Sequence, residues 1–255
     1  MRYVWFFTLY FLALSFSSIA QDKSTLHVIM SGGFAAAFER LSPQYEALSS
    51  VDINISYGSS SGGAPDSIPE RLKRGESFDL IILSKKSLNH LTLQGFVEPS
   101  SRKDLVHSYI GMAIKDGRKL PDISSEEAFI RVLMEADSIG YSASASGTYL
   151  SSKLWPEMGI WHVIQAKSKR ILSERVASVV ARGDVEIGFQ QISEIIPIEG
   201  AQFVAPIPKH LQKQTTFSSG IIKNSMNKLE AEKLLDYLAS ESAHNIINNA
   251  GLTPA

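Results

Sequence analysis

One stretch, INISYGSSSGGAPDSIPERLKRGESFDLIIL from Ile53 to Leu83, constrains the fold more than any other. Ile53, Ile55 and Tyr57 alternate with polar residues as a half-buried strand does. Six consecutive small residues follow, Gly58 to Gly63, then a helix-forming segment with Arg71 and Arg74, then an apolar run from Phe78 to Leu83. Ser67 and Glu70 have capping-box spacing, and Gly75 stands where a helix carboxyl end favours a left-handed residue. The pattern is strand, loop, helix, strand, with a loop bare of side chains at the carboxyl end of the first strand. Peptide N–H groups and hydroxyls in such a loop approach an anion closely, and the start of the next helix adds a favourable dipole. The unit reads as half of a ligand cleft.

The same alternation continues on both sides. Leu26 to Met30 is an apolar strand ending in Ser31-Gly32-Gly33, and Phe34 to Leu48 an amphipathic helix that Pro43 interrupts or restarts. Beyond Leu83 come a short helix from Leu88 to Gly95, a strand from Ile110 to Lys115, and a helix within 121–136 with Phe129, Ile130 and Leu133 at helical spacing. Ser138 to Ser142 is a strand, and Ala143 to Tyr149 a second small-residue loop that runs into a helix. Ser173 to Arg182 reads as a helix ended by Gly183, and Val185 to Phe189 as a strand with Gln190 and Gln191 at its end. Phe203 to Ile207 runs extended, Ser218 to Ile222 is the last strand, and Asn227 caps a final helix that stops at Gly251. Such alternation predicts an α/β protein with mainly parallel sheets. The small-residue loops fall in two groups, 31–84 and 143–191, and two lobes facing each other bring both groups to a common cleft.

The first residues stand apart from this pattern. Met1-Arg2, the apolar run Val4 to Phe16 and Ser18-Ile19-Ala20 read as a secretory signal, residues 1–20, cleaved after Ala20. The apolar run is shorter than the roughly 20 residues a membrane span needs. An exported, periplasmic protein is therefore expected. Residues 21–255 carry 24 basic and 26 acidic side chains, a balance without attraction for nucleic acid. With no cysteine in the chain, its core must hold it without disulfides. No two of the six histidines stand three or four apart, so no metal site is expected.

Gly58-Ser59-Ser60-Ser61-Gly62 matches the G-x-S-x-G elbow of serine hydrolases. That elbow follows several strands, whereas only one precedes it here, and a loop this rich in Ser and Gly matches cheaply. Ala64-Pro65 stand where a P-loop needs Lys and Ser or Thr, which excludes that nucleotide site. What several Ser-Gly loops at strand ends do suit is a small dehydrated anion held by hydroxyls and backbone amides. Arg71, near a helix start, is placed to add a charge.

The segments HVIMSGGF, SYGSSSGGAPDSIPERLKRGESFDLIIL, IGYSASASGTYLSSKL and VVARGDVEIGFQQ resemble, in order, the periplasmic molybdate-binding proteins of ABC transporters and their relatives. The resemblance implies the type-2 periplasmic binding protein fold: two α/β lobes joined by two crossings and closing on ligand in the cleft between them. Lobe I would comprise residues 21–107 plus 204–255, and lobe II residues 108–203. The family's oxyanion ligands match Gly33, Ser60 or Ser61, Ala145, Val176 and Gln191 here. Gly33 replaces a serine, with Ser31 close by, and Gln191 replaces a tyrosine; two lost hydroxyls count against molybdate, and amides suit a larger carboxylate. The chain is similar to the branch of this fold known as aconitate isomerase, which interconverts cis- and trans-aconitate without a cofactor by moving an allylic proton. On that resemblance Ser60, Ser61, Ser146, Thr148, Gln191 and Arg71 would hold carboxylates, and Tyr149 and Lys85 are the nearest titratable groups for proton transfer. The alternative is a non-catalytic binding protein, a monomer handing molybdate or a similar small oxyanion to an ABC permease.

Overall fold

A computed structural model describes residues 23–61 and 64–255. The expected signal segment, residues 1–20, lies outside the described residues, as do Gly62 and Gly63 of the small-residue loop. The chain begins β1 (Ser24–Met30), α1 (Gly32–Leu48), β2 (Val51–Tyr57), α2 (Ile68–Lys73), β3 (Leu80–Ser84), α3 (Lys85–Leu93) and β4 (Lys103–Ser108). It continues through β5 (Ile110–Lys115), α4 (Glu126–Glu135), β6 (Ile139–Ser142), α5 (Ala145–Tyr149), α6 (Trp155–Glu157) and α7 (Trp161–Ile164). The rest is β7 (Ser168–Ile171), α8 (Val176–Arg182), β8 (Ile187–Gln191), α9 (Ile192–Ile195), β9 (Ala201–Pro206), β10 (Thr215–Ile221), α10 (Lys228–Leu238), α11 (Glu241–Asn249) and β11 (Thr253–Pro254).

These strands form two sheets, ordered β11-β4-β10-β3-β1-β2 and β7-β6-β8-β5-β9. The chain leaves the first sheet between β4 and β5 and returns between β9 and β10, so strand pairing in the second sheet extends to Pro206. Gln212 ties the two crossings together: its side-chain carbonyl accepts from Ile110 N at 3.0 Å and its amide donates to Ile110 O at 2.6 Å. Both sheets are mixed rather than mainly parallel. β1 runs parallel to β2 and β3, and β6 to β7 and β8. β10, however, is antiparallel to β3 and β4, and β5 to β8 and β9. β5 follows β4 directly and only a single 3-10 turn, Lys209–Leu211, separates β9 from β10, short of the crossover helix that a parallel return requires.

The apolar pattern shows why each sheet is covered on both faces. In β3, Leu80 and Ile82 pack with Phe34, Phe38 and Leu41 of α1, whereas Ile81 and Leu83 pack with Ile68, Leu72 and Leu88 on the opposite face. Such a strand reads as a continuous apolar run because neither face meets water. In the second sheet Met112 and Ile114 join Phe129, Trp155 and Phe189, while Ala113 turns toward Val176 and Val180.

Local punctuation departs from expectation at three places. α1 runs unbroken through Pro43. The residue is exposed, so water can serve the Glu39 carbonyl that Pro43 leaves without a donor. Ser67 precedes α2 but its hydroxyl makes no cap bond, and Glu70 pairs with Lys73 at 2.9 Å instead of closing a capping box. The expected final helix is two, α10 and α11, and Asn227 turns its amide to Thr25 O and Asp79 Oδ1 rather than to the helix start. The second core centres on Trp155, stacked on Trp161 with ring centroids 5.7 Å apart and edge-on to Tyr141 and Phe189. Trp155→Ala should lower stability by about 3–5 kcal/mol, read as a lower urea midpoint with an unchanged slope. A loss under about 1 kcal/mol would mean that this cluster does not hold the second core.

Candidate functional site

The two sheets present strand ends to one another across a cleft of about 260 Å³. From the first sheet come Gly32, just past β1, Tyr57 to Ser59 at the end of β2, Asp66, and Glu39 of α1. From the second come Ser142 to Ser144 past β6, Ile171 to Arg175 past β7, Gln190 in β8, and Glu194 of α9. Ligands of α/β sheets bind at such carboxyl ends because loops there can vary while the strands hold them in place. Contacts already span the gap. Ser173 Oγ donates to Asp66 Oδ1 at 2.9 Å, Ser193 Oγ donates to Gly33 O at 2.7 Å, and Arg175 lies 3.7 Å from Glu39.

The cleft is lined by four carboxylates and one guanidinium, a surprising balance for an anion site. Most of the negative charge is already engaged. Glu39 accepts from Tyr57 OH at 2.7 Å, Asp66 accepts from Ser173, and Glu174 pairs with Arg182 at 2.9 Å. Burial and the Glu39 hydrogen bond push the Tyr57 phenol up, so it stays a donor. Burial also raises the Glu194 carboxyl, against the opposing pull of the Gln190 amide, the Arg175 charge and the Gln191 backbone. Donors remain for an anion. The first turn of α1 opens at the cleft with no side-chain cap bond from Ser31, leaving orphan N–H groups and the positive end of a 17-residue helix. Arg175 adds a charged donor whose only ion-pair partner among the described residues is the long Glu39 contact.

None of the residues expected from sequence is among those lining this cleft, although several are chain neighbours of residues that are. Ser31 is buried with its hydroxyl unpartnered, and Gly33 lies directly under the Phe217 ring. Ser60 is fully buried, and its hydroxyl accepts from Ser84 N at 3.1 Å, tying the small-residue loop to the end of β3. Ser61 accepts through its carbonyl from Ser59 Oγ at 2.8 Å. Ser146 bonds Ser142 Oγ at 3.0 Å, Ala145 opens α5, and Thr148 is exposed. Val176 is buried in the core beside Gly188. Gln191 donates to Thr215 Oγ1 at 3.2 Å and keeps a buried, unpartnered carbonyl oxygen. Arg71 is held by Glu76 at 2.7 Å and by the Tyr57 carbonyl at 3.0 Å. Tyr149 OH donates to Leu211 O at 3.1 Å, and Lys85 pairs with Asp104 at 2.6 Å. Neither side chain is among those lining the cleft. The charged lining residues Glu39, Asp66, Glu174, Arg175 and Glu194 were not singled out from sequence. The one available signal was adjacency: Arg175 precedes Val176, and Glu194 follows Gln191 by less than a turn.

The fold and the cleft together are those of a two-lobed solute-binding protein. The profile of the bacterial extracellular solute-binding protein family matches residues 26–253, and the chain belongs to that family. It is 40% identical over 235 residues to an aconitate isomerase of Pseudomonas sp, covering 92% of this chain and 90% of that one. Among solved structures, the periplasmic molybdate-binding protein of Azotobacter vinelandii matches with a TM-score of 0.73 at 21% identity, covering 89% of this chain and 98% of that one. The sulfate-binding protein of Mycobacterium tuberculosis matches with a TM-score of 0.73 at 16% identity, covering 91% and 87%. Among the described residues no helix is long and apolar enough to cross a membrane, and no cluster of His, Asp or Glu is arranged to hold a metal.

Two consequences are measurable. A methyl group at Gly33 would collide with the Phe217 ring, so Gly33→Ala should destabilise by about 1–3 kcal/mol. Phe217→Leu in the same chain should recover part of that loss in thermal unfolding. Glu194 holds its proton to higher pH when folded than when unfolded. Its stabilising contribution is therefore full at low pH and is lost as pH rises through the folded value. Thermal melts of Glu194→Gln should accordingly gain on the wild type as pH rises above the usual carboxylate range; a constant difference would show a solvated carboxyl.

Proposed function

We propose that this protein is an isomerase acting on a small unsaturated tricarboxylate, interconverting cis- and trans-aconitate by allylic proton transfer without a cofactor. The observation that carries the reading is 40% identity to an aconitate isomerase over nearly the whole of both chains. The cleft supports it. Its volume of about 260 Å³ suits a six-carbon acid better than a tetrahedral oxyanion. The serine and tyrosine of the molybdate pattern are Gly33 and Gln191 here, the first closed off by Phe217 and the second committed to Thr215. One substrate carboxylate faces the first turn of α1, and a second takes Arg175 from its long contact with Glu39. The lobes close over the substrate by turning about the two crossings that Gln212 links, which excludes water during proton transfer. The protein works in the periplasm after removal of residues 1–20.

The solute-binding family favours a second reading, delivery of a small anion to an ABC permease. One experiment separates them. Protein of residues 21–255 is incubated with trans-aconitate, cis-aconitate is followed by chromatography, and thermal-shift titrations with molybdate and tungstate run alongside. Turnover without an oxyanion shift is the expected result. A large oxyanion shift with no turnover would establish the binding protein instead. In the active protein Arg175→Gln should raise KM about 10- to 100-fold, the worth of one charge-assisted hydrogen bond.

A further inference from the structure

The isomerase reading needs a group that takes a proton at one carbon and returns it at another. Tyr149 and Lys85 are turned to Leu211 and Asp104. We propose that the carboxylate of Glu194 is that group. The assignment rests on the isomerase reading and adds the catalytic residue to it.

Geometry singles out Glu194 among the four cleft carboxylates. Glu39, Asp66 and Glu174 are taken up by Tyr57, Ser173 and Arg182. Glu194 has no ion-pair partner among the described residues; the only cation whose charge acts on it is Arg175. It stands in the first turn of α9, immediately after β8, on a rigid strand end rather than in a loop. Its Oε1 rests against the Cα of Gly32, where any side chain would collide with it. The carboxylate therefore reaches the first turn of α1, where a substrate carboxylate is held. Burial raises its proton affinity above that of an ordinary carboxylate, which favours returning a proton as well as accepting one.

The step balances without another reactant. The carboxylate takes a proton from the methylene carbon of aconitate, and the C–H bonding pair spreads over three carbons and into an adjoining carboxylate. Arg175 offsets the charge that develops there. Glu194, now a carboxylic acid, returns a proton to the former vinylic carbon, and the double bond closes between the other pair. The enzyme ends as it began.

Glu194→Gln removes the proton carrier while keeping size and polarity. With trans-aconitate as probe, kcat should fall about 10²- to 10⁴-fold while the calorimetric Kd changes only a few-fold. Gly32→Ala, which drives a methyl group onto Oε1, and Glu194→Asp, which withdraws the carboxylate by one methylene, should each lose more than about tenfold in kcat. In the wild type, kcat/KM should rise with pH along a limb above the usual carboxylate range, set by Glu194 with Arg175 facing it from the start of α8 and Glu39 from α1. A Glu194→Gln protein within about tenfold of wild-type kcat would overturn the assignment and leave the isomerase reading intact. If that variant does not fold, wild-type rates in both Gly32→Ala and Glu194→Asp overturn it equally. A wild type that interconverts neither isomer removes the reading and the assignment together.

Discussion

The structure depends on the first turn of α1 being bare of side chains. Gly32 and Gly33 stand at a contact between the two lobes: Glu194 of α9 presses on Gly32, the Ser193 hydroxyl reaches the Gly33 carbonyl at 2.7 Å, and Phe217 of the first sheet covers Gly33. A side chain at Gly32 would press on Glu194 of the second lobe, at the point where a ligand must touch both, and one at Gly33 would displace Phe217 within the first. The pair therefore does more than permit a tight turn. It sets the distance between the helix start, which supplies donors, and the turn after β8, which supplies a carboxylate.

That distance explains how an acidic cleft accommodates an acid. Coulomb repulsion at short range would exclude a tricarboxylate if all four lining carboxylates were free and ionised. Hydrogen bonds to Tyr57 and Ser173 and the pair with Arg182 spread the charge of three of them, and burial favours the neutral form of the fourth. What remains for the ligand is the helix dipole and Arg175. Arg175 is bound loosely to Glu39 at 3.7 Å, so a better-placed substrate carboxylate replaces a weak partner rather than breaking a strong one.

The elements built on continuous apolar runs or on helical periodicity were legible in the sequence: β1, β3, β5, β8, α1 and α4 all follow from residue pattern. Three strands were not legible: β4 (KDLVHS) and β7 (SKRI), which carry polar residues on a partly exposed face, and the two-residue β11; each is a strand only because a neighbour pairs with it. The mixed sense of the sheets was hidden for a related reason, since direction follows from where a crossing enters and not from any local pattern. The loops of the site were found because small residues at strand ends are unusual, yet the individual residues chosen were the hydroxyls of those loops. Ser60 and Ser146 turn out to tie the loops to Ser84 and Ser142. Glu194 and Arg175 look like ordinary surface charges in a linear reading; only the approach of two distant strand ends places them in one cleft.

A cleft of this kind leads to catalysis or transport according to what closure completes. In a binding protein the closed form should saturate the ligand with fixed donors, because every unmet polar group lowers affinity. Here Ser31 Oγ and Gln191 Oε1 are buried without a protein partner, within two residues of the contact between Ser193 and Gly33. A carboxyl of raised proton affinity sits where the lobes meet. Binding energy withheld from the ground state is what allows a product to leave, and a proton carrier matters only to a ligand whose bonds change. On the proposed isomerase reading, the same closure that would retain an oxyanion dries and aligns a carbon acid beside Glu194.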